Sequence, residues 1–171
     1  ADVNQRPKYE EYERGDFIAL KALNFDKTSL EVKTEQVTLY FRDGLVLTFQ
    51  ETESDLFQLV RQRIYNGRGK IRQKGADYLA YAIVDTIVDQ YFILLESLEN
   101  TIEEIEDELL ENPTAEIKSR IHKLKKELLL VRKSISPLRE AIGRFSKTDS
   151  PFVADHTAVF VRDLNDHTIQ V

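Results

Sequence analysis

The sequence predicts a fold of mixed α/β content. It is of the α+β type, because a strand-rich N-terminal part is followed by long helices. Apolar runs at residues 17–23, 36–41 and 45–49 are typical of strands. Residues 76–145 instead carry apolar side chains at helical spacing for most of their length. With 171 residues, the chain is long enough to bury a core of its own.

The strand-rich part also contains turn and helix signals. Asp43-Gly44 between two apolar runs predicts a tight β-hairpin. Residues 1–14 are expected to be polar and extended, and residues 26–35 to form a polar connection. Ser54 is predicted to cap a helix that ends near Asn66 and Gly67. Residues 1–75 are therefore expected to hold the strands, the hairpin and one short helix.

Residues 76–147 are predicted to form a long antiparallel helical hairpin with a turn at residues 111–114. Pro113 has no amide hydrogen for a helix interior, and Thr114 can cap a new helix. The second arm carries apolar residues at alternating steps of four and three, the pattern of a helix–helix seam. These residues are Ile117, Ile121, Leu124, Leu128, Val131, Ile135, Leu138, Ile142 and Phe145, with Leu98, Ile102, Ile105 and Leu109 on the first arm.

The two arms carry opposite charges. Residues 96–111 hold eight acidic side chains and no basic one, whereas residues 118–133 hold seven basic side chains against one acid. An exposed pair contributes only about 0.3–0.5 kcal/mol. The charges are therefore expected to fix the register of the arms more than they stabilise them.

Composition excludes several classes of function. A net charge of −6 argues against a nucleic-acid partner, and the lack of cysteine removes disulfides and thiolate metal sites. His122, His156 and His167 lack zinc-type spacing, no serine lies in a nucleophile elbow, and the glycine-rich residues 65–75 match no phosphate-loop spacing. The sequence therefore predicts a protein that is not an enzyme.

The chain as given is predicted to be soluble, because no signal-peptide pattern and no uninterrupted apolar run of membrane-spanning length is present. It contains no methionine, and it is expected to be part of a longer protein.

Two aspartates interrupt the apolar face of the first arm. Asp85 and Asp89 are four residues apart, which places both carboxylates on one side of a helix. Burying either one unpaired would be costly, so a positive charge should meet them. A salt bridge to Arg or Lys is one interpretation. A hard divalent cation, magnesium or calcium, is the other, because these ions prefer oxygen ligands.

Several segments together resemble the cytoplasmic domain of the CorA family of magnesium channels over essentially the whole chain. The segments that carry this resemblance are Gln5-Arg6-Pro7-Lys8, residues 47–51, residues 75–92, Pro137-Leu138-Arg139-Glu140 and residues 162–170.

The resemblance implies an α+β sandwich with a partial mixed sheet between helical layers. Residues 151–171 would begin a stalk helix that leads to a membrane part lying beyond Val171. The family's sheet is expected to lack its first strands here. The resemblance also implies a homopentamer on the cytoplasmic side of the cell membrane.

The resemblance also implies where regulatory divalent cations would bind. Asp163 matches the stalk aspartate, and Asp85 and Asp89 match the helix aspartates, at a boundary between subunits. Asp166 follows Asp163 by three residues on the same helix and is expected to face the same neighbour. Asn4 stands where some relatives have a histidine. The ion implied is Mg²⁺, with Co²⁺ and other divalent cations as alternatives.

The resulting prediction is a cation-sensing and gating domain of a magnesium channel that closes when Mg²⁺ bridges subunits. Two alternatives stay open at this point. The chain could belong to a related zinc transporter, with His156 and His167 as nitrogen ligands, or it could be a soluble scaffold whose hairpin binds a partner.

Overall fold

The computed structural model describes residues 5–53 and 55–171. Its elements are four strands followed by four helices: β1 (Lys8–Tyr12), β2 (Gly15–Asp26), β3 (Glu31–Arg42), β4 (Leu45–Gln50), α1 (Gln58–Asn66), α2 (Ala76–Glu111), α3 (Ala115–Phe145) and α4 (Asp155–Thr168). This arrangement confirms the predicted α+β fold class.

The sheet is a meander in the order β1-β2-β3-β4. All three pairings in the described part of the chain are antiparallel, so the sheet there is not mixed as the family resemblance implied. The predicted hairpin is present, because β3 ends at Arg42 and β4 begins at Leu45. Gly44 has a φ of 71°, a left-handed conformation that glycine adopts without strain.

The strands extend further than the sequence pattern indicated. Residues 8–12 form β1 because their backbone pairs with β2, from Lys8 opposite Ala19 to Tyr12 opposite Gly15. The expected connection at residues 26–35 is also mostly strand, and only residues 27–30 form the turn between β2 and β3. The Asp26 carboxylate accepts hydrogen bonds from the Thr28 and Ser29 amides and so closes this turn.

Helices α2 and α3 cover one face of the sheet. Tyr9 and Phe41 on that face pack against Phe145 of α3, with ring centroids 5.0 and 6.0 Å away. The opposite face carries Leu47 and Phe49, which are 42% and 60% exposed. In the part of the chain that the structure describes, helices therefore do not cover both faces of β4 as a sandwich would.

Helix α1 is shorter than predicted and begins after Phe57. The expected cap at Ser54 lies outside the described residues. The predicted end is confirmed, because Gly67 caps the helix in a left-handed conformation. Val60 of this helix is buried, whereas the neighbouring Leu59 is 63% exposed.

The helical hairpin turns between Glu111 and Ala115, and Thr114 Oγ1 accepts the Ile117 amide at 3.2 Å, as the capping signal predicted. The seam is buried along much of its length. Its fully buried members are Leu98, Ile105, Ile117, Leu124, Val131, Leu138, Ile142 and Phe145. Ile121 and Leu128 are each 36% exposed, so the apolar pattern overstated burial there.

The charged side chains of the two arms form ion pairs with the sheet as well as with each other. Arg120 pairs with Glu108 across the two arms. Lys27 in the β2–β3 turn pairs with Glu104 of α2, and Lys123 of α3 pairs with Glu31 at the start of β3. The acidic arm thus pairs with a lysine of the β2–β3 turn, and the basic arm pairs with a glutamate next to that turn.

Helix α2 is, within the described residues, the one helix long and apolar enough to cross a membrane by length and composition. The sequence interpretation, which required an uninterrupted apolar run, did not expect this. In the structure 56% of its most apolar window is buried against the rest of the chain, as in a core helix. Its Tyr91 hydroxyl donates to the Lys21 carbonyl of β2 at 2.9 Å, which fixes it on the sheet.

Candidate functional site

Helix α4 packs along the face of α2 that carries the two interrupting aspartates. Tyr78 and Tyr81 of α2 contact Phe160 of α4, with ring centroids 5.2 and 5.6 Å away. Further along both helices, His167 stacks on Phe92 at 4.4 Å with an interplanar angle of 11°. These contacts advance in the same direction on both helices, so α4 runs parallel to this part of α2.

Hydrogen bonds at both ends of α4 hold it in this position. The Asp77 carboxylate, at the start of α2, accepts the Ala154 amide at 3.0 Å just before α4 begins. Arg139 of α3 donates to the carbonyls of Thr168 and Ile169 at 2.9 and 2.8 Å, where α4 ends. The register of α4 against α2 is therefore fixed by α2 and α3 together.

Asp85 and Asp89 lie one turn apart on the same side of α2, as their spacing predicted. Asp85 is half-buried and Asp89 is exposed. Neither carboxylate forms a salt bridge with any residue that the structure describes. Arg63 of α1 and His167 attract Asp85 electrostatically without forming an ion pair with it. An internal salt bridge, one of the two sequence interpretations, is therefore absent from the described residues.

The environment disfavours the charged forms of both carboxylates. Burial raises the pKa of Asp85, and the neighbouring Asp89 charge raises it further. Burial also raises the pKa of Asp89, while His167 partly offsets the effect. For Tyr81, burial and then the Asp85 carboxylate raise the pKa to about 12. This face of α2 thus concentrates negative charge with little internal compensation.

Of the two aspartates predicted on α4, Asp163 lies near this face. Asp163 is exposed, and its charge, like that of Asp85, acts electrostatically on Tyr81 of α2. Asp166 is exposed, and no contact in the described residues joins its side chain to Asp85 or Asp89. The structure therefore groups Asp85 with Asp89 on α2, whereas Asp163 and Asp166 are both exposed on α4 and no contact in the described residues joins either side chain to that pair.

No set of three or more acidic or histidine side chains within residues 5–53 and 55–171 is close enough to hold a metal ion. The carboxylate oxygens present are nevertheless the ligand type that Mg²⁺ prefers, and Mg²⁺ usually keeps several waters and takes one or two protein carboxylates. Asp85 and Asp89 can thus supply part of a coordination sphere, and Asp163 of α4 is a further carboxylate that acts electrostatically on the same face.

Sequence reasoning named His167 as a possible zinc ligand, but it connected neither His167 nor Arg63 with Asp85 and Asp89. His167 follows Asp163 by four residues, a spacing that puts both on the same side of α4 and could have indicated it. Arg63 is separated from Asp85 by a helix boundary and a loop, and no sequence pattern connects them. Only the packing of α1 on α2 brings the Arg63 charge near.

The family model described as CorA-like Mg2+ transporter protein matches residues 1–171, and the chain belongs to this family. The family is one of transporters rather than enzymes, in agreement with the sequence prediction.

Comparison with individual proteins gives the same result. The chain is 44% identical over 170 residues to the cobalt/magnesium transport protein CorA of Thermotoga maritima, covering 99% of this chain and 48% of that protein. It thus spans about half the length of this relative.

Solved structures share the fold. The soluble domain of CorA from Methanocaldococcus jannaschii matches with a TM-score of 0.83 and 26% identity, over 99% of this chain and 67% of that one. The cytoplasmic domain of ZntB from Vibrio parahaemolyticus matches with a TM-score of 0.72 and 15% identity, over 99% of this chain and 67% of that one, and shows the fold alone.

Proposed function

We propose that this chain is the cytoplasmic, divalent-cation-sensing and gating domain of a homopentameric CorA-type magnesium transporter. Membership of the CorA-like family supports the transport class. The observation that carries the sensing role is the α2–α4 face, where Asp85 and Asp89 share one side of α2 without a salt bridge to any described residue, and Asp163 of α4 acts electrostatically on Tyr81 of the same face. A soluble scaffold, the third sequence interpretation, does not fit membership of a transporter family.

The regulatory ion would bind between neighbouring subunits. The described residues of one chain offer too few ligands for a complete site, so a second copy would supply the others. Because Mg²⁺ gives up its water reluctantly, such a site would be weak and would empty when the ion becomes scarce. A sensor of this kind responds when the ion concentration is near the dissociation constant of the site.

Electrostatic forces would couple occupancy of the cation site to the arrangement of the subunits. With an ion bound, the facing carboxylates are bridged. Without it they repel, by roughly 4 kcal/mol for two unit charges about 4 Å apart at an effective dielectric constant of about 20. Since the ion binds the bridged arrangement better than the separated one, it shifts the population toward the closed ring. Abundant Mg²⁺ would then inhibit its own uptake.

The remaining partners follow from the same proposal. The ring would lie on the cytoplasmic side of the cell membrane, and a C-terminal part beyond Val171 would anchor it there. Co²⁺ or another small divalent cation could occupy the same carboxylates, because their oxygens discriminate weakly between such ions.

One observation favours zinc as a second candidate ion. His167 lies beside Asp85 and Asp89, and an imidazole nitrogen is a better ligand for Zn²⁺ than for Mg²⁺. If the site senses zinc, the variant His167→Gln should lose the protease protection that Zn²⁺ gives and keep the protection that Mg²⁺ gives. If the site senses magnesium, the variant should keep the protection given by both ions.

The test uses the full-length protein and limited proteolysis over a Mg²⁺ titration. Asp163→Lys supplies a permanent positive charge where the ion would bridge, so the variant should resist protease without Mg²⁺ and should transport less. Asp107→Lys is the matched control, since it makes the same charge change at an exposed position of α2. Protection of Asp163→Lys that still rises with Mg²⁺ as steeply as in the wild type would contradict the sensor role.

A further inference from the structure

A second, oppositely charged site lies on the far side of the hairpin. A cleft of about 580 Å³ opens between α3 and the sheet beside β1 and β2. Its volume is within the range of about 300–1,000 Å³ that is common for small-molecule sites. The cleft shares no residue with the acidic α2–α4 face; it is lined by Arg6, Pro7, Lys21, Lys126, Leu129, Leu130, Lys133, Ser134 and Pro137.

The charges of this cleft are all positive. Four of its lining residues are Arg or Lys and none is Asp or Glu, in a chain whose net charge is −6. Arg6 forms an exposed ion pair with Glu140 at 2.7 Å, which leaves part of its guanidinium free to bind. Lys126 and Lys133 form no ion pair with any residue that the structure describes. The local field therefore favours an anion.

Helix α3 produces this arrangement by its periodicity. The positions that line the cleft recur at steps of three and one, and they form a face next to the buried seam. On this face Lys126 and Lys133 flank Leu129 and Leu130, so cationic groups surround an apolar floor. The two lysines are two turns apart, about 10 Å along the helix axis, which suits an extended anion better than a compact one.

We propose that this cleft binds an organic polyphosphate of the nucleoside triphosphate class. Arg6, Lys126 and Lys133, with Lys21 beside them, would hold the phosphate chain by charge-assisted hydrogen bonds. The apolar floor of Leu129, Leu130 and the proline rings would take the organic group. Inorganic polyphosphate shares the anionic chemistry and lacks only the apolar part.

The test is isothermal titration calorimetry on this chain in metal-free buffer at low ionic strength. The probes are ATP, inorganic tripolyphosphate and AMP. We expect ATP to bind more tightly than tripolyphosphate, AMP to bind weakly, and added salt to weaken all three. The double variant Lys126→Gln/Lys133→Gln should raise the Kd of ATP by at least about tenfold, since it removes two charged contacts.

Lys125→Gln is the matched control, because Lys125 is exposed on the same helix and does not line the cleft. It should leave the Kd of ATP unchanged. The double variant Lys126→Arg/Lys133→Arg keeps both charges and should retain ATP binding. If it does, the weaker binding of the glutamine pair comes from the loss of charge and not from a loss of folding. The proposal is overturned if ATP does not bind, or if the glutamine pair and the control lose affinity equally. Equal affinity for ATP and tripolyphosphate would overturn the role of the apolar floor.

Discussion

Asp16 is a carboxylate with no exposed surface at the start of β2. The Tyr9 hydroxyl, 2.7 Å from its Oδ2 and 2.8 Å from Thr148 Oγ1, connects the β1–β2 hairpin to the segment between α3 and α4. Burial raises the pKa of Asp16, the nearby Glu11 charge raises it further, and the hydroxyls of Ser150 and Tyr9 offset part of the shift. Burial in the folded chain therefore disfavours the charged form of Asp16.

The sign of the pH dependence follows from that shift. A group whose pKa is raised on folding favours the folded state most when it is protonated, and this contribution is lost as pH rises through the raised pKa. Asp16→Asn removes the charge and keeps an oxygen to accept the Tyr9 hydroxyl. We expect the variant to be more stable than the wild type at pH 7 in urea unfolding, with the difference shrinking as the pH approaches 4.

Asp149→Asn serves as the comparison, because Asp149 is an exposed neighbour in the same connection. It should change the free energy of unfolding little at either pH. A constant stability difference between Asp16→Asn and the wild type across this range would show that Asp16 keeps the same protonation state in the folded and unfolded chain.

At the scale of elements, the α2–α3 hairpin packs against both the sheet and α4. Its seam side chains are buried at heptad spacing, and its charges pair with both the opposite arm and the β2–β3 turn. Exposed ion pairs of this kind contribute at most about 1 kcal/mol each. The apolar seam therefore supplies most of the stability of the hairpin, and the charges set its register.

Leu124→Asp tests the seam. Leu124 is 3% exposed, so the variant loses the buried leucine and places a charge in an apolar setting. We expect a loss of at least about 3 kcal/mol in the free energy of unfolding, measured by urea or thermal denaturation.

Leu110→Asp is the matched substitution on the opposite arm. Leu110 is 84% exposed near the hairpin turn, and the change should cost well under about 1 kcal/mol there. Equal costs for the two variants would show that α2 and α3 do not form the seam that the structure describes.

For the whole molecule, the proposed function predicts that the acidic α2–α4 face controls self-association. Copies of this chain that meet through Asp85, Asp89 and Asp163 would repel one another without an ion. We expect the 171-residue chain to be mostly monomeric at micromolar concentration in metal-free buffer, as measured by multi-angle light scattering. Added Mg²⁺ should increase its weight-average mass.

The variant Asp107→Lys provides the control for general charge effects, because Asp107 lies on the acidic arm away from that face. Its response to Mg²⁺ should match that of the wild type. A stable pentamer in metal-free buffer would mean that contacts other than the acidic face assemble the ring.

The sequence by itself determined the class of the fold, the Asp43-Gly44 hairpin, the turn capped by Thr114 and the seam of α3. These features depend on local rules: residue periodicity, missing amide hydrogens and side chains that cap their own helix. The Asp85–Asp89 pair was also found this way, since four-residue spacing fixes a common helix face wherever the helix packs.

Tertiary structure decided what depends on distant residues. β1 is a strand because β2 offers it a pairing edge, although its own composition is polar. Arg63 and His167 come close to Asp85 because α1 and α4 both pack against α2. Burial, pairing and electrostatic proximity between distant segments are properties of the packed chain, which local sequence rules do not contain.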